Sequence, residues 1–354
     1  MGARSKIELR IANSIREIDA ESWNDLSDGL PFQSHSWYLF GEQVMADCEP
    51  MYLLAYVGGV LRGRACFWVI RDEPLPKYAG MWRVVLKPML HKWPLLICRS
   101  PLSYTSGLVL PKEVLLRTEI IGLFVETALA QGHKRKCSFM LLDYLSREQK
   151  VNWPTNLWFM EMPGPGTVME NTWQDFDDYL SHGNKKDRQH YKRTVREAEK
   201  MKIRLKRDDC VRVDSELLAL IRKVESQHGA PHNPWIVGML QNMEMVEGTF
   251  LTATIDEKIV GCGLLLEDNN AQMTSALGLA GDIPYVYLLL VYEGIKVALE
   301  HKMNLLRWGS GAYDVKQRLG FTQEDNSLSA FSPIHPFTRK LAGWLLGRDR
   351  KNVS

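Results

Sequence analysis

Residues 305–321 read Leu-Leu-Arg-Trp-Gly-Ser-Gly-Ala-Tyr-Asp-Val-Lys-Gln-Arg-Leu-Gly-Phe. The apolar run Leu305–Trp308 has the character of a buried strand. It breaks at Gly309, Ser310 and Gly311, where glycine lets the backbone turn sharply and approach a ligand closely. Asp314 favours the start of a helical turn. Tyr313 and Lys316 are three residues apart and share a face on a helix. A phenol and an ammonium together at a strand end can hold an anionic group or move a proton. For Arg318 the simpler alternative is a solvated helix charge.

The elements that must position this stretch follow from patterning. Residues 6–13 alternate apolar and polar, the period of a half-buried strand. Residues 15–28 fit a helix, and Ser34 or Ser36 can cap another through Trp37, Phe40 and Val44. Met51–Val57 and Val60–Ile70 flank Gly58-Gly59, a hairpin signal. The Pro- and Trp-rich segment 72–105 reads as a long, partly strand-forming insertion at a cleft. A helix over 112–131 is expected to end at Gly132, with a strand at Phe139–Leu142. Residues 152–168 form the strongest linker signal. Thr172 is the expected cap of the next helical segment.

Residues 185–207 carry eleven Lys and Arg against three acids and have a thin apolar stripe. This predicts a basic amphipathic helix leading into a strand. Lys185, Lys186, Arg188, Lys192 and Arg193 make it a candidate contact for phosphates or an anionic surface, with a solvated face as the plain alternative. A helix over 214–229 ends near His228. A second hairpin, 249–255 with 259–267, can be laid on 51–70 with a shift of 198, placing Gly261 on Gly63. A strand 271–279, a helix 285–301 and the strand 305–308 then repeat the order of the first half. Each copy reads strand, helix, helix, hairpin, strand, helix, strand. A mixed α/β architecture of two domains follows: 1–160, 161–332 and a basic amphipathic tail, 333–354.

Composition narrows the class. The chain has 354 residues, 45% hydrophobic and 24% charged, with a formal charge of +2. This suits two globular cores, the bulk charge argues for no particular partner, and no DNA partner is expected. The six cysteines lack CxxC spacing, so no zinc site or disulfide framework is read from them. No metal is expected. Without a signal-peptide core or a run of membrane-spanning length, a cytoplasmic location is expected, with peripheral contact at the inner membrane face through the tail.

The 305–321 stretch resembles the C-terminal signature of the Fem-type (FemAB-like) acyltransferases of the GNAT superfamily. Gly309, Gly311, Tyr313, Lys316, Arg318, Gly320 and Phe321 match it. The Pro31–Trp37 segment and the Lys-Lys-x-Arg-x-x-Tyr-Lys-Arg run from Lys185 are similar to Fem-type segments. The resemblance implies two tandem GNAT-like domains and an N-acyltransferase. The donor would be an acyl-CoA or an aminoacyl-tRNA, and the acceptor an amine on a cell-envelope precursor or glycoconjugate. Tyr313 and Lys316 would be catalytic. Gly309, Ser310, Gly311, Arg318 and the basic helix would contact substrate or tRNA. Donor phosphates would meet Gly278, Gly281, Tyr285, Val286 and Tyr287 at a helix N-terminus. Asp282 departs from a GNAT phosphate loop, which leaves room for a charged tRNA. A rival reading is a non-catalytic tandem module that binds an anionic glycan, lipid or nucleic acid.

Overall fold

In the computed structural model the chain divides into two compact units, one built mainly from residues before 164 together with those from 326 on, the other from 164–325. The described residues are 6–74, 82–147, 153, 157–162, 164–227, 229–281, 283–335 and 338, the side chains of 82–86 excepted. His228, Asp282 and all of the basic tail beyond 335 except Thr338 lie outside them.

The first unit runs β1 (Ile7–Ala12), α1 (Ala20–Ser27), α2 (His35–Val44), β2 (Glu49–Val57), β3 (Val60–Ile70), α3 (Trp82–Lys92), β4 (Leu95–Cys98), β5 (Leu108–Val109), α4 (Val114–Lys134), β6 (Phe139–Leu145) and β7 (Trp158–Glu161). The second runs β8 (Thr167–Glu170), α5 (Phe176–His182), α6 (Lys185–Lys200), β9 (Arg204–Asp208), α7 (Ser215–Gln227), α8 (Ile236–Gln241), β10 (Thr249–Ile255), β11 (Lys258–Asp268), β12 (Ala271–Leu279), α9 (Val286–Glu300), β13 (Leu305–Arg307), α10 (Tyr313–Arg318) and β14 (Thr322–Gln323). The chain then returns as β15 (Leu328–Pro333). The first sheet is ordered β1-β2-β3-β4-β6-β15-β7, with β5 beside β3, and the second β14-β8-β13-β12-β11-β10-β9.

The repeat is present in register, not only in element order. In the first hairpin Ala55 faces Gly63 and a bulge follows at Ala55/Tyr56; in the second Ala253 faces Gly261 and the bulge falls at Ala253/Thr254. In both units one parallel pair, β4 with β6 and β12 with β13, is joined by the crossover helix α4 or α9. Gly63 lies under Ile120 of α4 and Gly261 under Val286 of α9. A methyl on Gly261 would come within 2.3 Å of Val286 Cγ1, whereas one on Gly263 would meet nothing closer than 3.9 Å. Overpacking of this kind costs about 1–3 kcal/mol. Gly261→Ala is therefore expected to lower the thermal midpoint clearly and Gly263→Ala far less; equal midpoints would contradict the close approach.

Several expected elements are corrected. Within 72–105 the structure has the helix α3, with Pro88 inside it, ahead of β4. Gly132 does not end α4; it is buried inside the helix because a Cβ there would strike Ile334 at 2.4 Å and Leu96 at 3.2 Å. The left-handed residue after α4 is Lys136. Helix α5 is capped by Asp175, which accepts from the Asp178 amide, and not by Thr172. The 15–28 segment is a short 3-10 turn and then α1, separated where Ile18 goes extended and Asp19 caps the second piece. The linker segment contains β7 and β8, one in each sheet. β15, read from sequence as the end of the second domain, pairs with β6 and β7 in the first sheet.

The Pro31–Trp37 segment is structural in what it touches. Ser34 caps α2, and Gln33 accepts from the buried Arg64, whose guanidinium lies 3.6 Å from the Trp23 ring centroid. His35 packs edge-on to Trp23 and contacts the Ile15 carbonyl.

Candidate functional site

Strands β12 and β13 pair only from Ala271–Met273 against Leu305–Arg307. Beyond Met273, β12 continues to Leu279 along β11 alone, while β13 ends at Arg307 and the chain turns away. Two parallel strands thus part at their C-terminal ends, which opens main-chain groups on one edge.

The turn after β13 is fastened from within. Lys316 is 2% exposed, and its ammonium donates to the carbonyls of Trp308 (2.6 Å), Gly309 (3.1 Å) and Ser310 (3.3 Å). The Gly309 carbonyl also accepts from the Thr167 amide and hydroxyl, both at 2.9 Å. Gly309, Gly311 and Ala312 have positive φ, which gathers the carbonyls on one side. Burial pushes the Lys316 ammonium down to about 8. Tyr313 donates its hydroxyl to the Pro165 carbonyl at 2.8 Å. The two expected catalytic side chains are therefore occupied by main chain, and what they visibly do is hold the turn. Ser310 stays exposed.

Beside the parted strands lie buried polar atoms of Ser275 and Trp308, which the sequence reading did not assign to the site, and of Tyr287, which it placed among the donor-phosphate residues. Among the described residues, Ser275 Oγ, Thr274 Oγ1, Tyr287 Oη and Trp308 Nε1 are buried with no hydrogen-bond partner of normal geometry. A β-bulge falls at Ser275, since Leu264 faces Ala276 and Leu265 faces Thr274, and the following Leu277 and Leu279 pack against the α9 cluster. Trp308 sits on the same helix because Gly294 has no side chain; a Cβ there would meet the indole ring at 2.4 Å. One end of that indole neighbours Tyr287. Burial pushes the Tyr287 phenol well up, and the indole opposes only part of this. Buried polar groups are rarely left unsatisfied, so an orphaned cluster marks a place for water or ligand. The signal available in sequence was a Ser and a Tyr interrupting otherwise apolar runs.

The expected donor-phosphate residues divide. Gly278 is a packing glycine, its absent Cβ replaced by Cys262 Sγ at 2.6 Å and Leu220 at 3.0 Å. The Ala280 carbonyl, next to Gly281, accepts from Lys223. Val286 is core, at 1% exposure. Tyr285 is the left-handed N-cap of α9 and supplies no side-chain cap, so the first-turn amides are left to other partners.

Along α6, Lys185, Lys186, Arg188, Lys192 and Arg193 are all exposed. Arg188 donates to the carbonyls of Ser181 and Gly183 and so closes the end of α5. Lys186 and Arg318 meet at one cavity of about 400 Å³ between α6, α9 and α10. Among the described residues no group of three or more His, Cys, Asp or Glu is placed to hold a metal ion, and no helix is long and apolar enough to cross a membrane.

Two mixed sheets, each with a crossover helix over a parallel pair, define a tandem GNAT fold. The chain belongs to the FemAB-like family, described as peptidoglycan biosynthesis/recognition, whose model matches residues 14–354. Among solved structures, FemX is similar at 10% identity with a TM-score of 0.59, over 91% of this chain and 96% of FemX. A tandem GNAT protein from the clavulanic acid biosynthesis pathway is similar at 11% identity with a TM-score of 0.56, over 94% and 99%. The C-terminal domain of a putative lysylphosphatidylglycerol synthetase from Agrobacterium fabrum is similar at 11% identity with a TM-score of 0.53, over 93% and 95%. No curated protein matches in sequence.

Proposed function

We propose that this protein is an N-acyltransferase that moves an acyl or aminoacyl group onto an amine of a cell-envelope precursor or glycoconjugate, with the chemistry at the parting of β12 and β13. The observation that carries this is the orphaned set Ser275 Oγ, Tyr287 Oη and Trp308 Nε1 beside that parting. An activated acyl carbon needs an amine held in line and donors for the developing oxyanion. The Tyr287 hydroxyl, kept protonated by burial, and the Trp308 indole N–H are donors in a water-poor setting. The uncapped first turn of α9 suits a donor phosphate. Tyr313 and Lys316 act as positioning residues for the 308–311 turn.

Acyl-CoA and aminoacyl-tRNA are the two donor classes, and the basic face of α6 suits the second. A membrane-facing role for the tail and a cytoplasmic setting belong to the same reading. The occupied side chains of Tyr313 and Lys316 favour one rival, a module that binds an anionic envelope component without turnover. Calorimetric titration with acetyl-CoA and longer acyl-CoAs, at two salt concentrations, separates these. Micromolar binding is expected for the right acyl donor. If no CoA species binds and charged tRNA fails too, the transferase reading is wrong for this chain.

A further inference from the structure

The parted strands of the second unit have a counterpart in the first, and the shared hairpin register locates it. Gly63 matches Gly261, so Phe67 matches Leu265; Phe67 faces Cys98 and Leu265 faces Thr274. Arg99 therefore falls at the place of Ser275. Across the parallel pair Ile97 faces Leu141 as Met273 faces Arg307, which puts Asp143 and Tyr144 at the places of Gly309 and Ser310. Where the second unit has one bulged residue, the first inserts 99–106 before the chain returns to β3 as β5. The first unit thus carries different side chains at the carboxyl end of two parallel strands, the end where open α/β sheets take ligands.

Arg99 is pinned by its main chain: its amide donates to the Cys66 carbonyl, and its carbonyl accepts from the Trp68 indole. Its guanidinium donates to both oxygens of Glu73, at 2.8 and 2.7 Å, so its charge is spent inside the cluster. Strand β6 bulges here. Leu142 faces Ala330 and Leu145 faces Leu328, so Asp143 and Tyr144 together stand against Ser329, and such a bulge re-aims side chains. Tyr144 has a φ of 56°, an uncommon backbone for a bulky residue. Asp143 is 6% exposed, and the Ser329 hydroxyl donates to its Oδ1 at 2.7 Å. Its other oxygen and the Tyr144 hydroxyl make no hydrogen bond among the described residues. Burial pushes the Asp143 acid up, and the Arg99 charge and the Ser329 hydroxyl oppose only part of this. The Tyr144 ring meets Tyr104 edge-on at 5.9 Å, and Tyr104 is 53% exposed, so the cluster reaches the surface there.

We infer that this cluster is a subsite for a primary ammonium group, held by Asp143 and the Tyr144 hydroxyl and covered by the ring of Tyr104. A buried carboxylate is costly unless a cation meets it, and Arg99 is already committed to Glu73. An ammonium brings three donors, enough for the free Asp143 oxygen and the phenol oxygen with one left for water. Tyrosine faces attract such a cation as well. An anion is disfavoured, because the cluster's one guanidinium is neutralised and two carboxylates lie beside it. The subsite belongs to the first unit alone. It does not rest on the transferase reading and implies that the protein recognises an amine away from the proposed reaction centre.

The test is calorimetric titration of the full chain with 1,5-diaminopentane. Two comparison probes are 1,5-pentanediol, of the same length without charge, and tetramethylammonium, a cation without N–H. One-to-one, millimolar binding of the diamine is expected, with no binding of the diol and at least fivefold weaker binding of tetramethylammonium. Asp143→Asn keeps the shape and the Ser329 contact but removes the charge, and it should weaken the diamine at least tenfold. Tyr104→Ala should weaken it about threefold. Asp72→Asn, at an exposed carboxylate one residue from Glu73, should leave it unchanged. Each variant is first shown to melt cooperatively; if Asp143→Asn does not, the exposed Tyr104→Ala decides. No diamine binding, equal binding of the diol or tetramethylammonium, or affinity indifferent to both cluster variants would overturn the subsite. So would an equal loss in Asp72→Asn, which would mark diffuse surface charge.

Discussion

Lys316→Met is expected to abolish measurable acyl transfer, a loss of 100-fold or more, and to destabilise the second unit by about 2–3 kcal/mol. The ammonium draws three successive carbonyls, those of Trp308, Gly309 and Ser310, to one point. Methionine fills similar space but donates nothing, so the carbonyls must rotate toward solvent or stay unsatisfied. Either change shifts the turn and Trp308 with it. The pH dependence has a definite sign. The folded state holds this amine at about 8, below the ordinary lysine value of about 10.4. Below pH 8 it is protonated both folded and unfolded, and its contribution is flat. Above pH 8 the unfolded chain binds a proton that the native one has released, so stability rises with pH toward 10. Wild-type stability relative to Lys316→Met should therefore increase across that window in urea titrations. A decrease there would mean that the three carbonyls, and not burial, set the proton affinity.

Tyr287→Phe separates chemistry from stability in the opposite way. It removes one buried hydroxyl and keeps the ring, which projects from α9 beside Trp308. Because that hydroxyl has no hydrogen-bond partner among the described residues beyond the Trp308 indole beside it, its loss should leave stability unchanged or raise it by about 1 kcal/mol. If it donates to the reacting carbonyl, turnover should fall roughly 100-fold with little change in donor affinity. Full activity in Tyr287→Phe, with thermal midpoint unchanged, would remove the hydroxyl from the mechanism.

Much of the fold was legible because its two halves share a backbone constraint. A crossover helix can approach a hairpin closely only over a residue without a side chain, and Gly63 and Gly261 sit at that spot in both copies. The same requirement made Gly132 misleading, since a glycine at the end of a periodic run is equally consistent with a cap and with a close contact. Helix α3 was obscured by its proline and tryptophan content, which reads as irregular chain. The pairing of β15 with β6 and β7 is a tertiary choice, invisible to local patterning. The family resemblance pointed to the 305–321 turn, yet spacing alone could not say that Lys316 and Tyr313 face main chain. Ser275, Tyr287 and Trp308 lie on three different elements, and only the fold puts Trp308 beside Tyr287 where β12 and β13 part. Lys186 and Arg318 were read as separate substrate contacts with a solvated charge as the alternative; that they line one cavity depends on how α6 and α10 pack against α9.

The most direct test of the central claim is a single-turnover assay. Purified protein in excess is mixed with a radiolabelled acyl-CoA or aminoacyl-tRNA and an amine-bearing muropeptide precursor, and the label on the precursor is followed over time. Transfer by the wild-type chain that is lost in Lys316→Met is the predicted result. Label that stays on every donor, although donor and precursor both bind, would contradict an acyltransferase and leave a protein that recognises envelope components without modifying them.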